Sequence, residues 1–270
     1  MASLKYCLNA STIMTTPIMR QIEVAAEAGY EAIELWHDHI DIHVSEGGSV
    51  ADIRKAVDDH GLVVPTTIYL AGWFDSQGDE YRANMDECKR RMTDSAAIGA
   101  PHIIAGPPGG RADYKLGAVR YRELMELGRS IGVKPAMEFL GFVDQLNTIE
   151  DALVVMNDSE DPDATTVLDP FHIFRGGGSV ESISLLAESQ IAVSHFNDVP
   201  AEPPREIQHD KDRVMPGDGE FDLGRYLALL LATGYDRYLS LELFREDLWQ
   251  QDPLEVARQG MEKTRQVVEA

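Results

Sequence analysis

Two glutamates lie where a folded chain would normally place apolar side chains. Glu138 and Glu242 each stand between apolar neighbours, in segments of β-prone residues that are expected to be buried. A buried carboxylate is costly unless a cation, a proton or strong hydrogen bonds compensate its charge. Both glutamates therefore predict a polar partner in the interior of the protein.

Asp169 and His195 end two further apolar segments, between those of Glu138 and Glu242. A salt bridge to Lys or Arg is the simplest alternative for one such carboxylate. Four polar residues at the ends of four consecutive segments favour a metal site instead. Three carboxylates and one imidazole suit Mn²⁺, Mg²⁺, Co²⁺ or Zn²⁺, and the ligand types leave the choice among these ions open.

Weaker candidates lie close to these four residues. His172 follows Asp169 by three residues, which predicts a contact with substrate or with a second metal ion, or else a structural histidine. Asp198 follows His195 by three residues and is expected either to orient an imidazole or to cap the next loop. Other side chains could shape a substrate pocket, a tryptophan by stacking on a sugar face, although each could equally be structural. These are Trp36, Arg213 and Arg245.

Eight short apolar segments alternate with longer helical patterns along the chain. Most are continuously apolar, as is typical of parallel strands that are covered by helices. A strand–helix period of about 30 residues, repeated eight times, predicts an α/β protein with a (β/α)₈ TIM barrel formed by residues 1–270 as one domain. An open doubly wound sheet is the alternative. The predicted strands are Tyr6–Ala10, Ala32–Trp36, Val63–Tyr69, His102–Gly106, Pro135–Phe139, Thr165–Asp169, Ala192–Asn197 and Tyr238–Phe244.

The composition restricts the class of partner. The 270 residues include 46 Asp and Glu against 24 Lys and Arg, a formal net charge of −22. Such a surface should repel nucleic acids and anionic membranes, whose binding depends on Lys and Arg. The sequence contains no run of about 18 apolar residues, so no membrane span is predicted. The N-terminus does not resemble a signal peptide, and Cys7 and Cys88 form no metal or redox motif, so a cytoplasmic location is expected.

Several motifs resemble the sugar-phosphate isomerase/epimerase superfamily, the xylose-isomerase-like barrels. They are Met137-Glu138-Phe139, Leu168-Asp169-x-x-His172, His195-Phe196-Asn197-Asp198, Arg213-Val214-Met215-Pro216-Gly217-Asp218-Gly219 and Ser240-Leu241-Glu242-Leu243-Phe244-Arg245. The last two look most like inosose isomerases, which act on 2-keto-myo-inositol. The resemblance implies that Glu138, Asp169, His195 and Glu242 are the ligands of one divalent metal ion. It also implies that His172 contacts the substrate.

The resemblance further implies proton transfer on a small keto-polyol through a metal-stabilised enediolate. Glu138 and Glu242 would remove and return the proton, which isomerises or epimerises a keto-sugar or keto-inositol. Dehydratases of inosose or 3-dehydroshikimate share the four ligands and are the alternative. A barrel that only binds, with a structural metal, is less favoured. A DNA-repair endonuclease branch needs additional histidines, and Thr66 and Thr67 occupy the third strand instead. A homo-oligomer remains possible.

Overall fold

Eight parallel strands close into a barrel in the computed structural model, which describes residues 4–270. Each strand pairs with the next along the chain, and β8 pairs with β1. The predicted (β/α)₈ TIM barrel is therefore confirmed, and the open sheet is wrong because its edge strands would not pair. The strands are β1 Lys5–Asn9, β2 Ala32–Trp36, β3 Thr66–Leu70, β4 His102–Ala105, β5 Lys134–Met137, β6 Thr165–Leu168, β7 Ile191–Phe196 and β8 Tyr238–Leu241.

Ten α-helices lie between and after these strands in the described part of the chain. The longest, α4 and α5, are directly followed by Gly99 and Gly132, whose φ angles of 94° and 97° are left-handed. Glycine accepts this conformation without a steric penalty, so the chain can turn back towards the next strand. The helices are α1 Ile18–Glu27, α2 His37–Ser45, α3 Val50–Asp59, α4 Gly78–Ile98, α5 Tyr114–Ile131, α6 Ile149–Asp158, α7 Pro170–Arg175, α8 Leu223–Ala232, α9 Glu246–Trp249 and α10 Pro253–Val268.

None of the helices within residues 4–270 combines the length and the apolar character that a membrane span requires.

Apolar side chains from five consecutive strands fill part of the barrel. This cluster consists of Ile68, Ile104, Ala136, Val167, Ala192 and Val193, all buried. Two larger clusters join the strands to the surrounding helices. The packed interior leaves the polar residues to the carboxyl ends of the strands, where barrels of this kind carry their chemistry.

Three strands end one residue before a candidate ligand, which is earlier than predicted. β5 ends before Glu138, β6 before Asp169 and β8 before Glu242. These carboxylates therefore lie just beyond the paired backbone, at the carboxyl end of the barrel. β3 begins at Thr66 rather than Val63, because Pro65 has no N–H to donate to a neighbouring strand.

Candidate active site

A cavity of about 340 Å³ opens at the carboxyl end of the barrel. It brings together five residues that the sequence singled out, because the strand ends and the loops after them converge there. The lining residues are Trp36, Ile68, Tyr69, Ala71, Gly106, Pro107, Glu138, Leu140, Phe142, His172, Asp210, Arg213, Glu242 and Phe244.

Asp169, His195 and Glu242 form a buried cluster that could hold a metal ion. One donor atom from each lies within 4.8 Å of the other two. His195 Nδ1 is 3.0 Å from Glu242 Oε2 and 3.7 Å from Asp169 Oδ2. Within residues 4–270, neither nitrogen of this buried imidazole has a partner with hydrogen-bond geometry. An imidazole nitrogen that faces two carboxylates without a hydrogen bond suits a divalent cation, so these residues fit the expected ion.

Glu138 lines the same cavity but lies outside this close cluster. The predicted set of four ligands therefore appears as three neighbouring donors with a fourth carboxylate beside them. Burial and the repulsion from Glu242 and Asp169 raise the pKa of Glu138 to about 8. A carboxyl group with such a pKa can carry a proton near neutral pH, which suits a residue that exchanges protons with a substrate.

Arg213 connects the cluster to the wall of the cavity. Its guanidinium Nη2 is 2.9 Å from Asp169 Oδ2 and 3.4 Å from Glu242 Oε2, and its Nη1 pairs with Asp210. Burial disfavours the Asp169 carboxylate, but Arg213, His172 and His195 together outweigh burial and hold the pKa of Asp169 well below its usual range. Arg213 itself is buried, and its charge is already matched by the carboxylates around it.

His172 is a buried, neutral imidazole at the edge of the cluster. Its Nδ1 faces the backbone N–H of Gly141 at 3.2 Å, and its Nε2 lies 3.0 Å from Arg213 Nη2. If the ring were protonated, each of its nitrogens would carry an N–H that points at another hydrogen-bond donor, which disfavours the imidazolium. Burial, together with the charge of Arg213, lowers the pKa of His172 to about 4. His172 is thus uncharged at neutral pH and can contact a substrate as a neutral group.

Trp36 forms one wall of the cavity, whereas Arg245 lies outside it. The Trp36 ring meets Tyr69 and Phe244 edge-to-face, with centroids 6.0 Å and 5.6 Å apart. Arg245 is not among the described residues that line the cavity, and its side chain pairs with Asp247 at 2.7 Å. The structure thus places Arg245 apart from the other predicted site residues, and its contact with substrate stays a prediction.

Asp198 caps a loop, the second of the two roles that the sequence left open. Its carboxylate oxygens accept hydrogen bonds from the backbone N–H groups of Val199, Gly217, Gly219 and Phe221. This carboxylate fixes the segment that follows Arg213, so its effect on the cavity is indirect.

Glu34, to which the sequence analysis gave no role, lies beside His195 on the side opposite Glu242. It is fully buried on β2, and its Oε2 lies 3.3 Å from His195 Nε2. It also accepts hydrogen bonds from Thr66, Ser240 and Asn9. Burial opposes its charge, but His195, Ser240 and Thr66 outweigh burial and lower the pKa of Glu34. The sequence carried the same signal here as at Glu138, a carboxylate between apolar neighbours in a strand.

A closed (β/α)₈ barrel with an Asp–His–Glu cluster at its carboxyl end defines the class of protein. The chain belongs to the xylose isomerase-like TIM barrel family, whose model matches residues 22–267.

Inosose isomerases are among its relatives, and the sequence similarity extends over nearly their whole length. The chain is 26% identical over 275 residues to the enzymes of Bacillus velezensis and Bacillus subtilis, covering 98% of this chain and 97% and 98% of theirs. It is 24% identical over 247 residues to a 3-dehydroshikimate dehydratase of Pseudomonas aeruginosa, covering 88% of this chain but only 38% of that protein. A crystal structure of the IolI protein with a zinc atom superposes with a TM-score of 0.92 at 25% identity, covering 98% of both chains. These relatives support a sugar isomerase or epimerase.

Proposed function

We propose that the protein is a divalent-metal-dependent isomerase or epimerase of an uncharged keto-sugar or keto-inositol. The observation that carries this proposal is the Asp169–His195–Glu242 cluster, whose Glu242 lines a cavity together with Glu138. Full-length similarity to inosose isomerases makes 2-keto-myo-inositol the first substrate to test.

Asp169, His195 and Glu242 would hold the ion, and Glu138 would complete the set from the cavity side. When bound, the ion supplies Lewis-acid polarisation of the substrate carbonyl. Mn²⁺, Mg²⁺, Co²⁺ and Zn²⁺ all suit this set of donors.

Glu138 and Glu242 would transfer the proton. Both line the cavity, so a small keto-polyol held there has a carboxylate close to more than one carbon. One glutamate takes the proton from the carbon next to the carbonyl and one returns a proton. Return to the neighbouring carbon gives isomerisation, and return to the opposite face of the same carbon gives epimerisation.

The charges around the cavity favour an uncharged substrate. Among the described residues that line it, Arg213 alone carries a full positive charge, and Asp169 and Asp210 already pair with it. A phosphate or carboxylate on the substrate would therefore find no free cationic side chain among these residues. Aromatic rings, Trp36 and Phe244 among them, offer flat apolar surfaces that suit the C–H face of a sugar ring.

A metal-dependent dehydratase is the second candidate, because 3-dehydroshikimate dehydratases are among the relatives. One feature of the cavity counts against it. Among the described residues that line the cavity, no unpaired cationic side chain is available for the carboxylate of 3-dehydroshikimate. A non-catalytic binding barrel is a weaker candidate, because the cluster adjoins an open cavity instead of being enclosed.

The test is proton exchange followed by NMR. The purified protein is loaded with Mn²⁺ and incubated in D₂O with 2-keto-myo-inositol, ketohexoses and 3-dehydroshikimate. EDTA-treated protein is the control. For the NMR spectra, the protein is loaded with Zn²⁺ in place of Mn²⁺. Loss of an α-proton signal with appearance of an isomer supports the proposal. Loss of water from a substrate would move the protein to the dehydratases. Binding without exchange would favour the binding barrel.

A further inference from the structure

Asn9 lies at the end of β1, fully buried, between the candidate ligands and the aromatic wall. Its Oδ1 accepts hydrogen bonds from the Ser11 backbone N–H at 3.0 Å and from Trp36 Nε1 at 2.9 Å. A backbone amide and an indole nitrogen can only donate. These two donors therefore fix the orientation of the Asn9 amide, because its NH₂ group must point the opposite way.

The NH₂ group of Asn9 points towards two carboxylates. Nδ2 donates to Glu242 Oε1 at 2.9 Å and to Glu34 Oε2 at 3.2 Å. These carboxylates lie on opposite sides of His195: Glu242 Oε2 faces Nδ1 at 3.0 Å, and Glu34 Oε2 faces Nε2 at 3.3 Å. One amide thus links the carboxylates on both sides of this imidazole.

The two oxygens of Glu242 consequently have different surroundings. Oε1 is occupied by Asn9, whereas Oε2 faces His195 and Arg213 in the cluster. Rotation of the carboxylate would exchange the oxygens and leave the Asn9 donor without the short contact that it makes now. A hydrogen bond from a neighbouring side chain is the usual means by which proteins orient a ligating carboxylate.

We propose that Asn9 is a positioning residue that makes Glu242 present Oε2 to the metal and that ties this carboxylate to the substrate-facing Trp36. The inference rests on the proposed function, since it assumes that the cluster binds a metal ion. It adds a residue from β1, a strand that contributes none of the four candidate ligands.

Asn9 also has a structural role, and the test must separate the two. It is the N-cap of the short 3-10 helix Ala10–Ile13 through the bond from Ser11. Serine is about as good an N-cap as asparagine, but its side chain is too short to reach Glu242. Asn9→Ser therefore keeps the cap without adding a charge and removes the donor to both carboxylates. Asn157→Ser, on the exposed face of α6, is the matched control.

The experiment measures Mn²⁺ binding to each metal-free protein by titration calorimetry, without substrate, alongside circular dichroism of the fold. Asn9→Ser is expected to weaken Mn²⁺ binding by about 10- to 100-fold, the range for loss of a residue that orients a ligand. Asn157→Ser should bind like the unaltered protein. Kinetics at saturating Mn²⁺ then give the KM and kcat of Asn9→Ser, and both should change because Trp36 loses its hydrogen-bond acceptor.

Each outcome supports or overturns the positioning role of Asn9. Mn²⁺ affinity equal to that of the unaltered protein would overturn the role of Asn9 and leave the proposed function standing. If Asn9→Ser binds Mn²⁺ more weakly but the unaltered protein turns over no substrate, the positioning role of Asn9 is supported and the proposed function is contradicted. If Asn9→Ser is unfolded, Asn9→Asp replaces it, because Asp retains the acceptor for Ser11 and Trp36 and lacks the donor. Normal kinetics and normal Mn²⁺ affinity in Asn9→Asp would likewise overturn the proposal.

Discussion

Glu34 Oε2 lies 3.3 Å from His195 Nε2, on the side of the imidazole opposite Glu242 and Asp169. His195 is therefore held between a carboxylate of β2 and the carboxylates that directly follow β6 and β8. Burial disfavours the imidazolium, but Glu242 and Glu34 outweigh burial and raise the pKa of His195 well above its usual range. A carboxylate behind a ligating histidine fixes the ring orientation and makes the other nitrogen a better ligand.

Glu34→Gln should weaken metal binding by about 10- to 100-fold, because the amide cannot replace the negative charge behind His195. Its NH₂ group would replace one carboxylate oxygen and face either Thr66, at the position of Oε1, or Ser240 and Asn9, at the position of Oε2. The lost acceptor should lower the melting temperature of the metal-free protein. Calorimetric titration with Mn²⁺ measures the first effect and thermal unfolding the second. Glu31→Gln, an exposed neighbour of β2, is the control. Equal losses in both variants would contradict a specific role for Glu34.

Glu138→Gln and Glu242→Gln should both reduce kcat by about 10²- to 10⁴-fold, the usual contribution of a general acid or base. Their effects on metal affinity should differ, because Glu242 belongs to the close cluster and Glu138 lies beside it. We expect the larger loss of Mn²⁺ affinity in Glu242→Gln. Steady-state kinetics at saturating Mn²⁺, paired with calorimetry, separate the two effects. A larger loss of affinity in Glu138→Gln would reverse this assignment.

Trp36→Ala should raise the KM for a keto-polyol by about tenfold, which corresponds to about 1.4 kcal/mol of lost binding free energy. The indole forms part of the cavity wall and packs edge-to-face on Tyr69 and Phe244. Trp36→Phe keeps a ring but loses the hydrogen bond to Asn9, so its KM should lie between those of the unaltered protein and Trp36→Ala. An unchanged KM in Trp36→Ala would show that Trp36 does not contact the substrate.

His37 should make the folded protein less stable in acid. It is fully buried beside Ser95, and burial together with Arg91 and Arg90 lowers its pKa to about 3. The unfolded chain binds a proton at this histidine below about pH 6.5, whereas the folded chain does not until about pH 3, so stability falls as the pH falls between those values. From pH 6.5 to pH 5 the loss from His37 should be about 2 kcal/mol.

His37→Gln should remove that loss and flatten the dependence of unfolding free energy on pH. The variant loses a hydrogen bond to Ser95, so it should be less stable than the unaltered protein at pH 7, by about 1 kcal/mol. Urea unfolding of both metal-free proteins at pH 5, 6 and 7 gives the comparison. If the two curves keep a constant separation across that range, the protonation of His37 is not the cause.

Local patterns in the sequence determined the barrel and drew attention to its carboxyl end. Continuous apolar segments identify covered parallel strands, and an ionisable residue at the end of such a segment is visible without any knowledge of the fold. Glu138, Asp169, His195 and Glu242 were found in this way. Their convergence follows from barrel closure, because successive parallel strands present the same end to one opening.

Only the tertiary structure decided which side chains contact one another. Asn9 resembles an ordinary strand residue in the sequence, and Glu34 shows there only that it is a carboxylate between apolar neighbours. Their partners, Glu242 and His195, are visible only across the folded barrel. The sequence predicts both Arg245 and Arg213 as pocket residues, but in the structure Arg245 pairs with Asp247, whereas Arg213 lines the cavity and pairs with Asp169 and Asp210. The direction of a long charged side chain depends on the nearest opposite charge, and that neighbour is set by packing rather than by sequence spacing.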